Sequence, residues 1–206
     1  LALPRRAWVG WLPFVAVAIV FAVIAFLSHG RTAGFLPAGR RSALDVAMTM
    51  AYLIVFYLGK IVRPVNLTSV YLLPEPFALS NPVVLGGVIG AVVLAMALVA
   101  SLRRTRALLT GGLIFLIAIL PTLGLVRYSW ITASDKYVYL PAVGFLLILT
   151  WLFARVWASR ASVRIGLVFV LLLGVAAEAR GTRGYLRYWR DTETLFRRMV
   201  RLAPGA

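Results

Sequence analysis

The chain has 206 residues, 62% of them hydrophobic and only 14% charged, with a formal net charge of +16 that sits almost wholly on arginine. Soluble domains carry about a quarter charged residues, and a chain so rich in Leu, Val, Ala and Ile cannot cover its core with polar surface, so a soluble domain is excluded and one membrane domain is the simpler organisation. The lack of cysteine rules out disulfide scaffolds, thiolate metal sites and cysteine nucleophiles, the single histidine, His29, leaves no His-based zinc site, and the positive charge comes with no basic face or reading motif, so no nucleic-acid partner is expected.

The chain starts at Leu1 almost directly on a hydrophobic run, which reads as the start of a fragment. Residues 8–27 are too long for a signal-peptide core and lack a small-residue cleavage pattern, so they read as a membrane span. Further spans are expected over residues 43–61, 83–102, 108–126, 137–154 and 163–177. Five of the six approach or exceed the roughly 18 apolar residues that cross hydrocarbon as a helix. The last does so only if both its charged ends reach the interfaces, since 13 residues separate Arg164 from Glu178. Backbone groups in lipid must be paired internally, and these runs lack the two-residue alternation of barrel strands. The expected fold is therefore all-α, a polytopic transmembrane bundle of about six helices over residues 1–179, followed by an amphipathic tail over 180–206.

Loop charge gives the expected orientation. Arg31, Arg40, Arg41, Arg103, Arg104, Arg106, Arg155, Arg160 and Arg164 gather on one side, whereas Arg5, Arg6, Lys60, Arg63, Arg127 and Lys136 on the other are partly balanced by Glu75 and Asp135. The first side is read as cytoplasmic. The tail then carries its arginines onto the opposite side, which a domain following the last helix tolerates; if the sixth segment does not span, the tail is cytoplasmic instead. Within the tail, Tyr188, Leu195, Phe196, Met199, Val200 and Leu202 recur at near-helical spacing behind an acidic first turn. This is the pattern of an interfacial helix or of the close of a repeat helix stopped by Pro204.

No nucleophile elbow, phosphate-binding glycine loop or metal-ligand spacing occurs, so neither a cofactor nor a metal is expected. The loop over residues 62–82 spreads Lys60, Arg63, Asn66, Tyr71, Glu75 and Asn81 among four prolines, and the loop over 127–136 and its flanks concentrate Arg127, Tyr128, Trp130, Asp135, Lys136, Tyr137 and Tyr139. Cations at a membrane interface hold lipid-linked phosphate by charge-assisted bonds, and Tyr and Trp offer faces to a sugar ring. The plainer account of the same residues is an aromatic belt with basic anchors at the span ends. Asp45 reads as a helix-start acid and Glu75 as a solvated turn residue, while Gly86, Gly87 and Gly90 allow close helix contact.

The run Ser134-Asp135-Lys136-Tyr137-Val138-Tyr139-Leu140-Pro141-Ala142-Val143-Gly144-Phe145 resembles the Ala-Glu-Arg-x-x-Tyr-x-Pro-Ser-x-Gly-Phe signature of the transmembrane and tetratricopeptide-repeat proteins, an O-mannosyltransferase-like family with bacterial relatives. Asp135 and Lys136 replace Glu and Arg with charge kept, although a lone ammonium cannot make the two-pronged contact of a guanidinium. The stretch from Tyr57 to Leu67, followed by Tyr71 and Pro74, looks like a second signature of that family, and Tyr188-Trp189-Arg190-Asp191-Thr192-Glu193-Thr194-Leu195-Phe196 is similar to its junction with the first repeat. The resemblance implies the carboxyl-terminal half of a C-type glycosyltransferase membrane domain, its tail leading into tetratricopeptide repeats. It further implies a bacterial inner-membrane protein with an extracytoplasmic carboxyl terminus. The implied partners are membrane lipid, a polyprenyl-phosphate sugar donor and a protein acceptor. Transfer would be inverting: a carboxylate takes the acceptor hydroxyl proton while the lipid phosphate leaves beside cations. That carboxylate is expected upstream of this fragment, leaving the catalytic residue unassigned. The residues implied to bind the donor phosphate or substrate are Lys136, Arg127, Lys60, Asp135, Tyr139 and Tyr71, with Asp135 as the orienting acid. Two other classes stay open, a non-catalytic membrane anchor for repeats and, with no ionisable residue in mid-span, a transporter or flippase.

Overall fold

Most of the helices begin where a side chain takes up the amide groups that a first turn leaves free. The computed structural model describes residues 5–32, 42–103, 105–124 and 131–204. Helix α1 (Arg5–Thr32) belongs to one compact unit, and α2 (Ala43–Val62), α3 (Pro82–Ser101), α4 (Arg106–Ile119), α5 (Tyr139–Trp157), α6 (Ala161–Leu186) and α7 (Thr192–Leu202) belong to another. Ser42 and Asp45 form a reciprocal capping box on α2, which gives Asp45 its helix-start role. Asn81 caps α3 ahead of Pro82, Thr105 caps α4, and Asp191 caps α7. The described fold is thus an all-α membrane helix bundle, in which α2, α3, the segment from Asp135 to Trp157 and the segment from Ala161 to Trp189 are each long and apolar enough to cross a bilayer. The apolar segments Leu12–Ser28 and Arg106–Thr122 are shorter.

Helix α1 runs past its expected span at both ends, and α4 and α6 also differ in extent from the sequence expectation. The regular part of α4 stops at Ile119, before Leu120–Thr122 tighten into a 3₁₀ turn around Pro121, whose ring cannot continue the helical hydrogen bonds, and Gly124 follows at a φ of 81°. In contrast, α6 runs 26 residues, about 39 Å at 1.5 Å per residue, well past the expected end at Ala177. Apart from Arg164 in the first turn, its charged residues lie in the last third and can reach the interface, so they do not terminate it. No residue of α6 is buried within the bundle, and its apolar flank is open all round, as for a helix that meets lipid.

Within the second unit α4 and α5 are antiparallel and cross where Gly111 faces Gly144. A Cβ on Gly111 would stand 2.5 Å from the Gly144 carbonyl oxygen, and one on Gly144 would meet the Gly111 carbonyl and stand 2.6 Å from the Phe115 nitrogen. Of the three glycines expected to bring helices together on α3, Gly87 lies against Tyr52 and Gly90 against Val55, while Gly86 has nothing within 4 Å. Tyr52 also meets the Phe77 ring at 6.0 Å. Phe77, in the loop between α2 and α3, thus packs back against the side of α2. Beneath the loop, Leu53 and Tyr57 of α2 join Phe115, Ile119, Leu123 and Ala133 in a buried cluster.

Candidate functional site

The loop after α2 is fixed by its own carbonyl groups. Lys60, in the last turn of α2 where the helix dipole favours a cation, donates to the Val65 carbonyl at 2.8 Å. Asn66 turns the chain at a φ of 50°, a left-handed conformation that asparagine tolerates better than most residues. Its carbonyl oxygen lies 2.9 Å from the Tyr71 hydroxyl, and that hydroxyl accepts from the Thr68 amide at 3.2 Å.

This loop is joined to the segment that begins α5. The Tyr71 amide donates to the Ala133 carbonyl at 3.0 Å, the Asp135 amide to the Thr68 carbonyl at 3.3 Å, and the Tyr71 hydroxyl also reaches Asp135 Oδ1 at 2.9 Å. Lys60 Nζ lies 4.4 Å from the centre of the Tyr71 ring, with the Phe56 ring edge-on to Tyr71 at 4.9 Å. From below, the fully buried Tyr57 accepts from the Ser134 amide at 3.3 Å. Burial, reinforced by the bond to Asp135, pushes the Tyr71 phenol well above its ordinary pKa. It therefore stays protonated and serves as a donor to the carboxylate.

The tail closes the site from a third direction. The Tyr185 hydroxyl at the end of α6 donates to the Leu67 carbonyl, and Arg198 Nη2 of α7 donates to the Tyr185 hydroxyl at 3.3 Å. The Arg198 guanidinium stacks 3.9 Å from the Tyr188 ring centre and 4.8 Å from that of Tyr185. Between loop, α5 start and tail lies a cavity of about 420 Å³, with Lys136, Tyr139 and Arg198 on its walls and Leu67, Leu195 and Met199 supplying apolar surface. Two of the residues that line it carry buried polar atoms without a hydrogen-bond partner, Ser134 Oγ and Arg198 Nε.

Of the residues singled out from sequence, Asp135, Tyr71 and Lys60 form one cluster, and Lys136 and Tyr139 line the cavity beside Asp135. Arg127 lies outside the described residues, as do Tyr128 and Trp130. The Asp135 carboxylate is turned onto Tyr71, bracing the two loops. Glu75 is exposed. Arg198, Tyr185 and Ser134 were not singled out as binding residues. The signal for Arg198 and Tyr185 was the arginine and aromatic content of the tail, and for Ser134 its place at the head of the run over residues 134–145. Among the described residues no three His, Cys, Asp or Glu side chains converge on a metal position.

A search of curated proteins finds similarity to the protein O-mannosyl-transferase Tmtc1 of Drosophila melanogaster, 29% identical over 103 residues. The match takes in 48% of this chain but 12% of that protein's length. No family model and no solved structure matches the chain.

Proposed function

We propose that this chain forms the donor-side corner of a membrane glycosyltransferase that moves a sugar from a polyprenyl-phosphate carrier to a protein acceptor on the extracytoplasmic side. The observation that carries the reading is the bond between Tyr71 and Asp135: it ties two sequence signatures 64 positions apart to one corner, beside a cavity whose wall holds Lys136. The similarity to a protein O-mannosyl-transferase supports the same reaction class.

On this reading Lys136 faces the donor phosphate and offsets the charge that grows on it as the sugar leaves. Tyr139, 79% exposed at the start of α5, offers a ring to the sugar. Asp135 and Tyr71 hold the Lys136 backbone at the cavity mouth, with the neutral phenol donating to the carboxylate. The acceptor hydroxyl loses its proton to a base that we do not assign among these residues. The apolar flank of α6 meets lipid, the phase in which such a donor dissolves.

The test is transfer of radiolabelled mannose from polyprenyl-phosphate mannose to protein in proteoliposomes carrying the full-length protein that includes this chain. Lys136→Ala should slow transfer about tenfold or more, the effect of losing one charge-assisted phosphate contact of about 1.5–3 kcal/mol. Equal transfer by Lys136→Ala and wild type would remove Lys136 from the site. Absence of transfer by wild-type protein would favour a membrane anchor without catalysis.

A further inference from the structure

We propose that Arg198, on the helix beyond the last membrane-length helix, is a phosphate-binding residue of the cavity, so that the tail helix forms part of the donor site. The two orphaned polar atoms carry the argument. Buried polar groups are almost always hydrogen-bonded, yet Arg198 Nε and Ser134 Oγ, both in residues that line this cavity, have no protein partner. Both can donate, so what they lack is an acceptor. A phosphate ester supplies several acceptor oxygens on one atom.

The electrostatics agree. Three ionisable side chains with full charges line the cavity, Lys136, Arg198 and Asp135, and the carboxylate of Asp135 already accepts from Tyr71. One net positive charge is left for an anion. The guanidinium is also set in advance: Tyr188 and Tyr185 hold its plane, and Nη2 is anchored on the Tyr185 hydroxyl, while Nε has no protein partner. A planar fork held this way loses little freedom on binding phosphate. It also supplies the two-pronged contact that Lys136 cannot make. Leu67, Leu195 and Met199 extend the same wall with apolar surface suited to a prenyl chain.

Because Tyr185 is bonded to both Arg198 and Leu67, a phosphate on Arg198 tightens α7 against the first loop, and by linkage a displaced α7 weakens the phosphate. The inference rests on the proposed transfer reaction only for the identity of the lipid that bears the phosphate.

The experiment measures equilibrium binding to the detergent-solubilised chain with three probes, farnesyl phosphate, inorganic phosphate and farnesol, in wild type, Arg198→Gln, Arg198→Lys and Ser134→Ala. Farnesyl phosphate should bind wild type at least tenfold more tightly than farnesol. Arg198→Gln should lose about tenfold or more, Arg198→Lys less, and Ser134→Ala least. Should Arg198→Gln fail to fold, as shown by its unliganded Tm, Arg198→Lys decides: a loss of threefold or more upholds the proposal. Wild-type affinity in either folded Arg198 variant overturns it, as does farnesol binding as tightly as farnesyl phosphate. If inorganic phosphate binds as tightly as farnesyl phosphate and loses affinity in Arg198→Gln, the anion site stands and the lipid-donor reading falls.

Discussion

Helix α5 is held at its middle and at its start by opposite means. At its middle, Gly144 sits against Gly111 and Phe115 of α4 with backbone on backbone, and no polar side chain takes part. At its start, Ser134 and Asp135 are held by Tyr57, Tyr71 and Thr68 through hydrogen bonds, with Lys60 stacked beside them. In lipid there is no hydrophobic gain from bringing two apolar helices together, so contact between them depends on close van der Waals approach, which small residues permit. At the interface water competes for polar groups, and a bonded corner holds only where burial shields it. The first contact tolerates no added atom, whereas the second tolerates no lost one.

The sharpest way to break the seam is Gly144→Leu, which should abolish recovery of folded protein in detergent, because the new side chain meets backbone that cannot move aside. Gly144→Ala should destabilise by about 1–3 kcal/mol, the usual range for overfilling a packed contact, read as a drop in Tm. Recovery and Tm unchanged in both would mean that α4 and α5 do not approach as described. The corner responds to deletion. Tyr71→Phe removes the hydroxyl that serves Asp135 and the Thr68 amide and should cost about 1–3 kcal/mol, with loss of sugar transfer exceeding the loss of stability. A Tyr71→Phe protein with wild-type Tm would show the corner to be solvated. Gly112→Ala sharpens the comparison: the added methyl meets only the tip of the Leu98 side chain, so the cost should stay below about 1 kcal/mol. Gly86→Ala, with open space around it, should leave Tm unchanged.

The smallest effect concerns the tail. The Thr194 amide, at 2.7 Å, and its hydroxyl, at 2.9 Å, hold the Asp191 carboxyl below its ordinary pKa. A carboxylate with a lowered folded pKa stabilises above its unfolded pKa and loses that contribution as pH falls through the folded one. Helicity measured by circular dichroism should therefore decline slightly on acidification. Asp191→Asn should flatten the decline while keeping the cap, since asparagine also accepts from the helix amides.

Much of this architecture was legible in the hydrophobic runs, because a backbone in lipid has few options besides helix. The run over residues 108–126 overstated α4 since apolar composition hides the effect of Pro121, and the charges after Ala177 understated α6 since long arginines end apolar surface without ending a helix. Hydropathy carries length but not facing, so neither the contact of Phe77 with Tyr52 nor the meeting of Gly111 with Gly144 could be read from it. At the site, Asp135, Lys136 and Tyr139 stood out because they crowd a short loop and its flank, and Tyr71 because it sits among the prolines of the longer one. Arg198 did not, since its setting is created by Tyr185 and Leu67, the latter 118 positions upstream of the tyrosine, and one arginine in a basic tail looks like the next.

The reach of that Tyr185 contact also orders events in time. The pair α4 and α5 is close in sequence and can form as soon as α5 has left the ribosome, and Tyr71 finds Asp135 at about the same moment. The clasp onto Leu67 must wait for α6 to be made and inserted, and Arg198 can settle on Tyr185 only later still. During synthesis, then, the cavity is the last feature of the described bundle to be completed, and a nascent chain halted before α7 would carry its corner without its wall.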